Sequence, residues 1–298
     1  MGSLGRVVHR SNMIANTLRD HWLYCAIIAQ SIATPHLTMH ASPPPIAKAD
    51  FIEGMAKGMA VLECFDTERQ RLNATQAAER AGLTRAAARR HLLTLAHLGY
   101  LDTDGSHYWL SAKVLRFSGS YLASARLPRL LQPTLNRLAA QTRESFSAVV
   151  RDGDEVVIVA RSASVGGQRL MAYGLHLGAR LPLHATSTGR VLLASMPKAE
   201  FSAWLKGREL PRLTPRTVVD AKGFLVVIER VRTDDLALAS EEHELGVHAL
   251  AVPLRDMRGQ TVAALNVVAS PERLSLSVLQ RDLLPLLLEA ARELRPLL

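Results

Sequence analysis

Residues 80–101 carry four arginines, Arg80, Arg85, Arg89 and Arg90, and no acid. Leu83, Leu92, Leu95 and Leu98 run between and beyond them at helical spacing. Thr84 stands where a helix would be capped, Gly82 stops the element before it, and Gly99 ends the helix after about Leu98. Such a helix has to bury its leucines against other helices and turn its arginines outward. Arg85 and Arg89 are four apart and share a face. Arg85 lies at the helix N-terminus, the end that a helix-turn-helix points at base edges. Arginine can bond bidentately to guanine O6 and N7. The alanines at 86, 87 and 88 leave room for the backbone to enter a groove. The plainer alternative is a solvated basic face.

The flanking segments favour the DNA reading. Phe51, Ile52, Met55, Met59, Val61, Leu62 and Phe65 predict a first helix up to about Asp66. Thr75 can cap a short second helix, Gln76 to Ala81. Residues 100–110 read as two short strands about the Asp104-Gly105 turn. Three helices and a hairpin in this order make a winged helix-turn-helix. The DNA-facing candidates are Thr84, Arg85, Ala86, Arg89 and Arg90 on the helix and His107 in the wing. His91 and His97 are six apart and do not share a helix face, so they read as packing or phosphate contacts and not as metal ligands.

Composition bounds the rest. The 298 residues suggest two domains, and 48% hydrophobic with 21% charged residues is ordinary for a globular protein. Two cysteines allow neither a disulfide scaffold nor a four-cysteine zinc site. No apolar run has the length of a bilayer span, so no membrane partner is expected and the location expected is cytoplasmic. The net charge is +9, and thirty of the 36 basic residues are arginine. That suits phosphate and base-edge recognition, and a G- and C-rich genome would give the same bias.

Four pieces follow one another. Residues 1–48 are basic at first, then apolar from Trp22 to Ala33 with Gln30 and Ser31 interrupting, and end in Ser42-Pro43-Pro44-Pro45, a stiff linker. Three readings stand for this extension. It resembles a secretory signal in its order of segments, it reflects a start placed too far upstream of Met13 or Met39, or it is an extra amphipathic helix with a partner. Residues 49–110 are the winged helix. Residues 111–142 are linker helices, the second beginning at Pro128. Residues 143–298 alternate strand and helix patterns. Hairpins are expected about Asp152-Gly153-Asp154 and Asp256–Gly259, with further strands at Gln168–Tyr173 and Val247–Arg255 and a closing helix at Leu276–Leu297 interrupted by Pro285. The fold class is α+β, with helices outside an antiparallel sheet.

Two segments could bind a ligand. In 181–190, Thr186, Ser187 and Thr188 open a predicted helix whose free N–H groups suit an anion, or they simply cap it. Gly189 would allow close approach of a ligand. Asn266 lies inside the apolar strand Val262–Val268, where its amide needs a partner, either ligand or backbone. The run Ser240-Glu241-Glu242-His243-Glu244 invites a metal or acid–base reading, but its spacing matches no zinc motif. There is no nucleophile elbow, no glycine-rich phosphate loop and no carboxylate pair. No catalytic residue, metal or cofactor is assigned. A hydrolase or sensor enzyme built on Glu241 and His243 is the runner-up, and a purely structural nucleic-acid-binding protein the third reading.

Several blocks together resemble the IclR family of transcriptional regulators over about residues 50–298. They are residues 54–62, 82–90, 183–194, 241–256 and 263–267. Residues 173–180 are most similar to the subgroup that controls protocatechuate, 4-hydroxybenzoate and β-ketoadipate pathway genes. The resemblance implies a winged helix, a linker helix and a GAF-like effector domain, associating as a homodimer or tetramer on an operator in double-stranded DNA. It also implies a pocket for a small carboxylate, aromatic or derived from an aromatic acid, walled by Leu170, Tyr173, Ser187, Thr188, Val247, Ala249, Asn266 and Val268. Nothing of it reaches residues 1–48. A chain beginning at Ala49 is therefore expected to keep its melting temperature and its operator binding. A melting point lowered by several degrees would show that residues 22–33 dock on the rest.

Overall fold

The structure is a computed structural model and describes residues 46–66, 69–162 and 175–298. The expected strand at 168–173 and most of the N-terminal extension lie outside the described residues. The first helix, α1, is Glu53–Leu62 and stops before Asp66, in a turn where Cys64 N–H donates to Val61 O. Helix α2 is Ala74–Ala81 and is capped by Asn73, not by Thr75. Asn73 Oδ1 accepts from the N–H of Thr75 and Gln76 at 3.0 Å, and Gln76 Oε1 accepts from Asn73 N–H at 2.9 Å. Both residue types cap well; the reciprocal bond from Gln76 moves the start forward. Gly82 then turns the chain at φ 63°, and α3, Arg85–His97, begins under a cap from Thr84, whose Oγ1 accepts from Ala87 N–H at 3.3 Å.

Val61, Phe65, Leu72, Ala77, Ala88, Leu92, Leu95, Leu101 and Tyr108 form the core of this unit. Leu98, expected to pack inward, is half exposed, as are Met55 and Met59 on α1 and Phe51 and Ile52 just before it. Strands β1, Leu101–Thr103, and β2, Tyr108–Leu110, make the wing. Asp104 closes its turn, accepting from the N–H of His107 at 2.7 Å and of Ser106 at 3.0 Å. These bonds hold its carboxyl at a pKa of about 2. Arg71 pairs with Asp104 at 2.6 Å and stacks over Trp109 at 4.4 Å.

The linker is α4, Leu115–Ser124, and α5, Arg126–Thr142. Pro128 falls in the first turn of α5, where its missing N–H costs no helical bond. Leu127, Leu131, Leu135 and Leu138 are buried, whereas α4 buries no residue.

The C-terminal sheet has six strands in the order β5-β4-β3-β8-β7-β6, all antiparallel. They are β3, Ser145–Asp152; β4, Glu155–Arg161; β5, Arg180–Pro182; β6, Ala237–Ser240; β7, His248–Arg255; and β8, Thr261–Ala269. Helices α6, Ser187–Ala194, α7, Lys198–Leu205, and α8, Ala221–Asp234, precede β6. The chain ends in a helical turn at Leu276–Val278, a π-turn at Leu279–Leu283 and α9, Leu284–Leu294. The wider turn stands just before Pro285, which removes a helical N–H. Register puts Val149, Ala251 and Ala264 on the face packed against α6 and α8. Phe146, Leu250 and Val267 take the other face, toward α5 and α9. With both faces covered, every residue of β8 is buried.

Candidate functional site

The exposed edge of α3 is the first candidate surface. Thr84, Arg85, Ala86, Arg89 and Arg90 are all exposed on it, and His107 lies half buried in the wing. Arg85, Arg89 and Arg90 form no ion pair among the described residues, so their donors are open to a ligand. Arg80 is different, being held to Asp66 at 2.5 Å. Ala88 is fully buried, so its small size serves the packing of α3 on its neighbours and not a groove. Lys113 was not singled out from the sequence. Its Nζ donates to Leu98 O at 2.6 Å, closing the C-terminal end of α3, and lies 4.8 Å from the Tyr100 ring.

The second candidate is a cavity between the sheet and α6, about 620 Å³ including its mouth. It brings together Ser187, Thr188, Val247, Ala249, Asn266 and Val268. Leu170 and Tyr173 lie outside the described residues. Ser147, Val149 and Ile158 complete the sheet side, with Leu175 and Leu181 beside them. Thr186 caps α6, accepting from Gly189 N–H at 3.1 Å and donating to Pro182 O at 2.9 Å. The N–H groups of Ser187 and Thr188 are left without an intrahelical acceptor. Gly189 does not serve the ligand. A Cβ there would come within 2.2 Å of Leu183 O, so glycine is needed for the close passage of the chain over the helix.

Three buried polar atoms in this region have no partner: Ser187 Oγ, Asn266 Oδ1 and Arg161 Nη1. Ser187 is 1% exposed and Asn266 8%. On β3, Ser147 pairs with Asn266 on one side and Arg161 on the other. Residues opposite one another in an antiparallel ladder project to the same face, so Arg161 belongs to the cavity side of the sheet. Burial pushes its guanidinium below the usual arginine range. Sequence reasoning missed Arg161. Its signal was a lone charge closing the apolar strand Val156–Ala160.

The acidic run 241–244 is mostly structural. Glu242 meets Arg190 in a buried bidentate pair, Nη1 to Oε1 at 2.6 Å and Nη2 to Oε2. Arg190 Nε also donates to His184 O at 3.1 Å. Glu241 pairs with Arg216 at 3.0 Å. Thr217 Oγ1 donates to Glu242 O and Thr214 Oγ1 to Glu241 O, both at 2.7 Å. His243 and Glu244 face the cavity. Burial, with His184 as a lesser cause, lowers the pKa of His243, and burial raises that of Glu244. His243 has no hydrogen bond to any of the three acids among the described residues, so no acid–base pair is assembled for the enzyme reading.

A winged helix with bare arginines, followed by helical linkers and a sheet domain with a ligand-sized cavity, defines a ligand-responsive DNA-binding regulator. Comparison with known proteins makes this specific. The family described as bacterial transcriptional regulator IclR C-terminal matches residues 119–295, and the IclR helix-turn-helix domain matches residues 54–105. The chain belongs to the IclR family and is a transcriptional regulator, not an enzyme. It is 50% identical to the Pca operon regulatory protein of Acinetobacter baylyi, over 85% of this chain and 91% of that one. It is also 50% identical to the p-hydroxybenzoate hydroxylase transcriptional activator of the same organism, over 90% and 98%. A crystal structure of the double mutant of the PobR inducer-binding domain from Acinetobacter, in complex with 3-hydroxybenzoic acid, matches at 46% identity. It covers 57% of this chain and 98% of that one, with a TM-score of 0.55.

The Gly189 contact yields a test. Gly189→Ala is expected to lower the melting temperature by several degrees, since forcing atoms into a packed position costs about 1–3 kcal/mol. An unchanged melt would mean that the Leu183 backbone does not hold this helix.

Proposed function

We propose that this chain regulates genes of aromatic-acid breakdown, reading operator DNA with α3 and a small aromatic carboxylate in the cavity. The observation that carries the ligand reading is the pair of unpartnered polar atoms Ser187 Oγ and Asn266 Oδ1 in the cavity lining, with Arg161 Nη1 unpartnered on the same side of the sheet. Leaving such groups unmet costs about 1–3 kcal/mol each, more for a charge. A ligand carboxylate meets Arg161 and the free N–H groups of Ser187 and Thr188. Val247, Ala249 and Val268, with Leu170 and Tyr173, hold its ring. Asn266 orients a second polar group. The ligand class accords with two of its relatives, a p-hydroxybenzoate hydroxylase activator and an inducer-binding domain in complex with 3-hydroxybenzoic acid.

On the DNA side, residues 49–110 form the reading domain, residues 111–142 the linker and residues 143–298 the effector domain. Arg85 and Arg89 enter the major groove, while Thr84, Ala86, Arg90 and His107 meet its rim. The chain works as a homodimer or tetramer in the cytoplasm. The exposed apolar side chains of α1 (Met55, Met59) and α4 (Leu115, Phe117, Tyr121), with Phe51 just before α1, support that reading, because each is about half exposed or more among the described residues. Among the described residues no helix is long and apolar enough to cross a membrane.

Calorimetric titration with 4-hydroxybenzoate, 3-hydroxybenzoate, protocatechuate and β-ketoadipate tests the effector. One of them is expected to bind wild type, and Arg161→Gln and Asn266→Leu to bind it at least about tenfold more weakly, a loss of about 1.4 kcal/mol. Asn266→Leu should also abolish the ligand response while leaving ligand-free DNA binding intact. Failure of every carboxylate to bind would sink the assignment.

Arg85→Ala is expected to weaken operator binding by about 1–3 kcal/mol and to relax base preference. Titrations against operator and random DNA at several salt concentrations separate base from phosphate contact. An equal loss on both, with a salt slope lower by about 1, would make Arg85 a phosphate contact instead.

A further inference from the structure

The effector cavity is lined by a carboxylate, Glu244, that no described residue answers. Glu244 lies in the loop between β6 and β7 and lines the cavity with His243 and Val247. The acids before it are engaged, Glu241 with Arg216 and Glu242 with Arg190. Glu244 has neither an ion pair nor a hydrogen bond among the described residues. Burial raises its pKa with no cation to offset it. Asn266 Oδ1 is a second acceptor without a donor in the same cavity. Against these acceptors stand unanswered donors, the N–H groups of Ser187 and Thr188 and Nη1 of Arg161. A ligand that meets these donors and Glu244 has an anion at one place and a hydrogen to give at another.

We propose that Glu244 is a specificity-determining residue, which accepts the hydroxyl hydrogen of a hydroxy-substituted aromatic monocarboxylate and excludes an aromatic dicarboxylate. The inference rests on the reading of the cavity as the effector site. A phenolic hydroxyl gives Glu244 the donor it lacks, in surroundings where a hydrogen bond to a charged group is strong. A second carboxylate in the place of that hydroxyl brings no proton and sets two anions side by side. Benzoate, with no substituent there, neither satisfies Glu244 nor repels it. Discrimination by a site built around a hydroxyl is steeper than discrimination by pocket size, because the wrong ligand leaves a polar group of the site unmet.

The test uses the full chain, with calorimetric titration of 3- and 4-hydroxybenzoate, benzoate, isophthalate and terephthalate into wild type, Glu244→Gln and Glu244→Ala. Wild type is expected to bind one of the hydroxybenzoates best, benzoate next and the matching dicarboxylate least. Glu244→Gln keeps an acceptor and loses the charge. It should hold the hydroxybenzoate within about threefold and gain about tenfold or more for the dicarboxylate, leaving benzoate unchanged. Glu244→Ala should bring the hydroxybenzoate down to the level of benzoate. If wild type binds a hydroxybenzoate and the ratio of hydroxybenzoate to dicarboxylate stays the same in both variants, Glu244 does not select the ligand, while the cavity reading stands. If wild type binds none of the five, this inference fails, and the cavity reading falls with it only if protocatechuate and β-ketoadipate do not bind either.

Discussion

The buried pair between Arg190 and Glu242 is the contact on which both walls of the cavity depend. Arg190 projects from α6, the helix whose first turn offers Ser187 and Thr188, and Glu242 lies in the loop that offers His243, Glu244 and Val247. Arg190 is 2% exposed, so neither partner can exchange the other for water. Removing one side of such a pair costs about 3–5 kcal/mol, because the remaining charge is left buried and alone. The Thr214 and Thr217 hydroxyls hold the backbone of the same loop. The ligand-facing groups are thus placed by neighbours that do not themselves need to touch a ligand.

That division explains which parts could be read from the amino-acid sequence. The winged helix rests on local signals: Gly82 at positive φ, Thr84 as cap, and leucines at helical spacing. Those signals act over a few residues and survive in the structure. Where they misled, two local solutions competed, as at Asn73 and Thr75, and Gln76 decided between them. The cavity depends on contacts far apart in the chain. Arg190 and Glu242 are 52 residues apart, and Arg161 joins Asn266 only through the register of β3. No window along the chain contains either relation. Asn266 itself was legible, since an amide in an apolar strand is anomalous wherever the strand lies. Gly189 and Ala88 were legible as small residues, but what required their smallness was a backbone and a core, not a ligand or a groove.

The route from the cavity to the DNA-reading helix is continuous in covalent and hydrogen-bonded terms. Gln132 on α5 donates from Nε2 to Arg161 O at 2.7 Å, so the strand end that presents the guanidinium is held by the linker. Helix α4 follows the wing through Ser111, whose Oγ donates to Gly99 O at 2.5 Å, and Phe117 stacks on Tyr100 with centroids 5.6 Å apart. Lys113 completes the junction by capping α3 itself. Contiguity alone transmits nothing. A ligand alters DNA affinity only by the difference in its affinity for the two DNA-binding states, and DNA must alter ligand affinity by the same factor. The groups able to supply that difference are those whose partners are incomplete when the cavity is empty. Arg161 Nη1 is such a group, and it stands at the point where the linker grips the sheet.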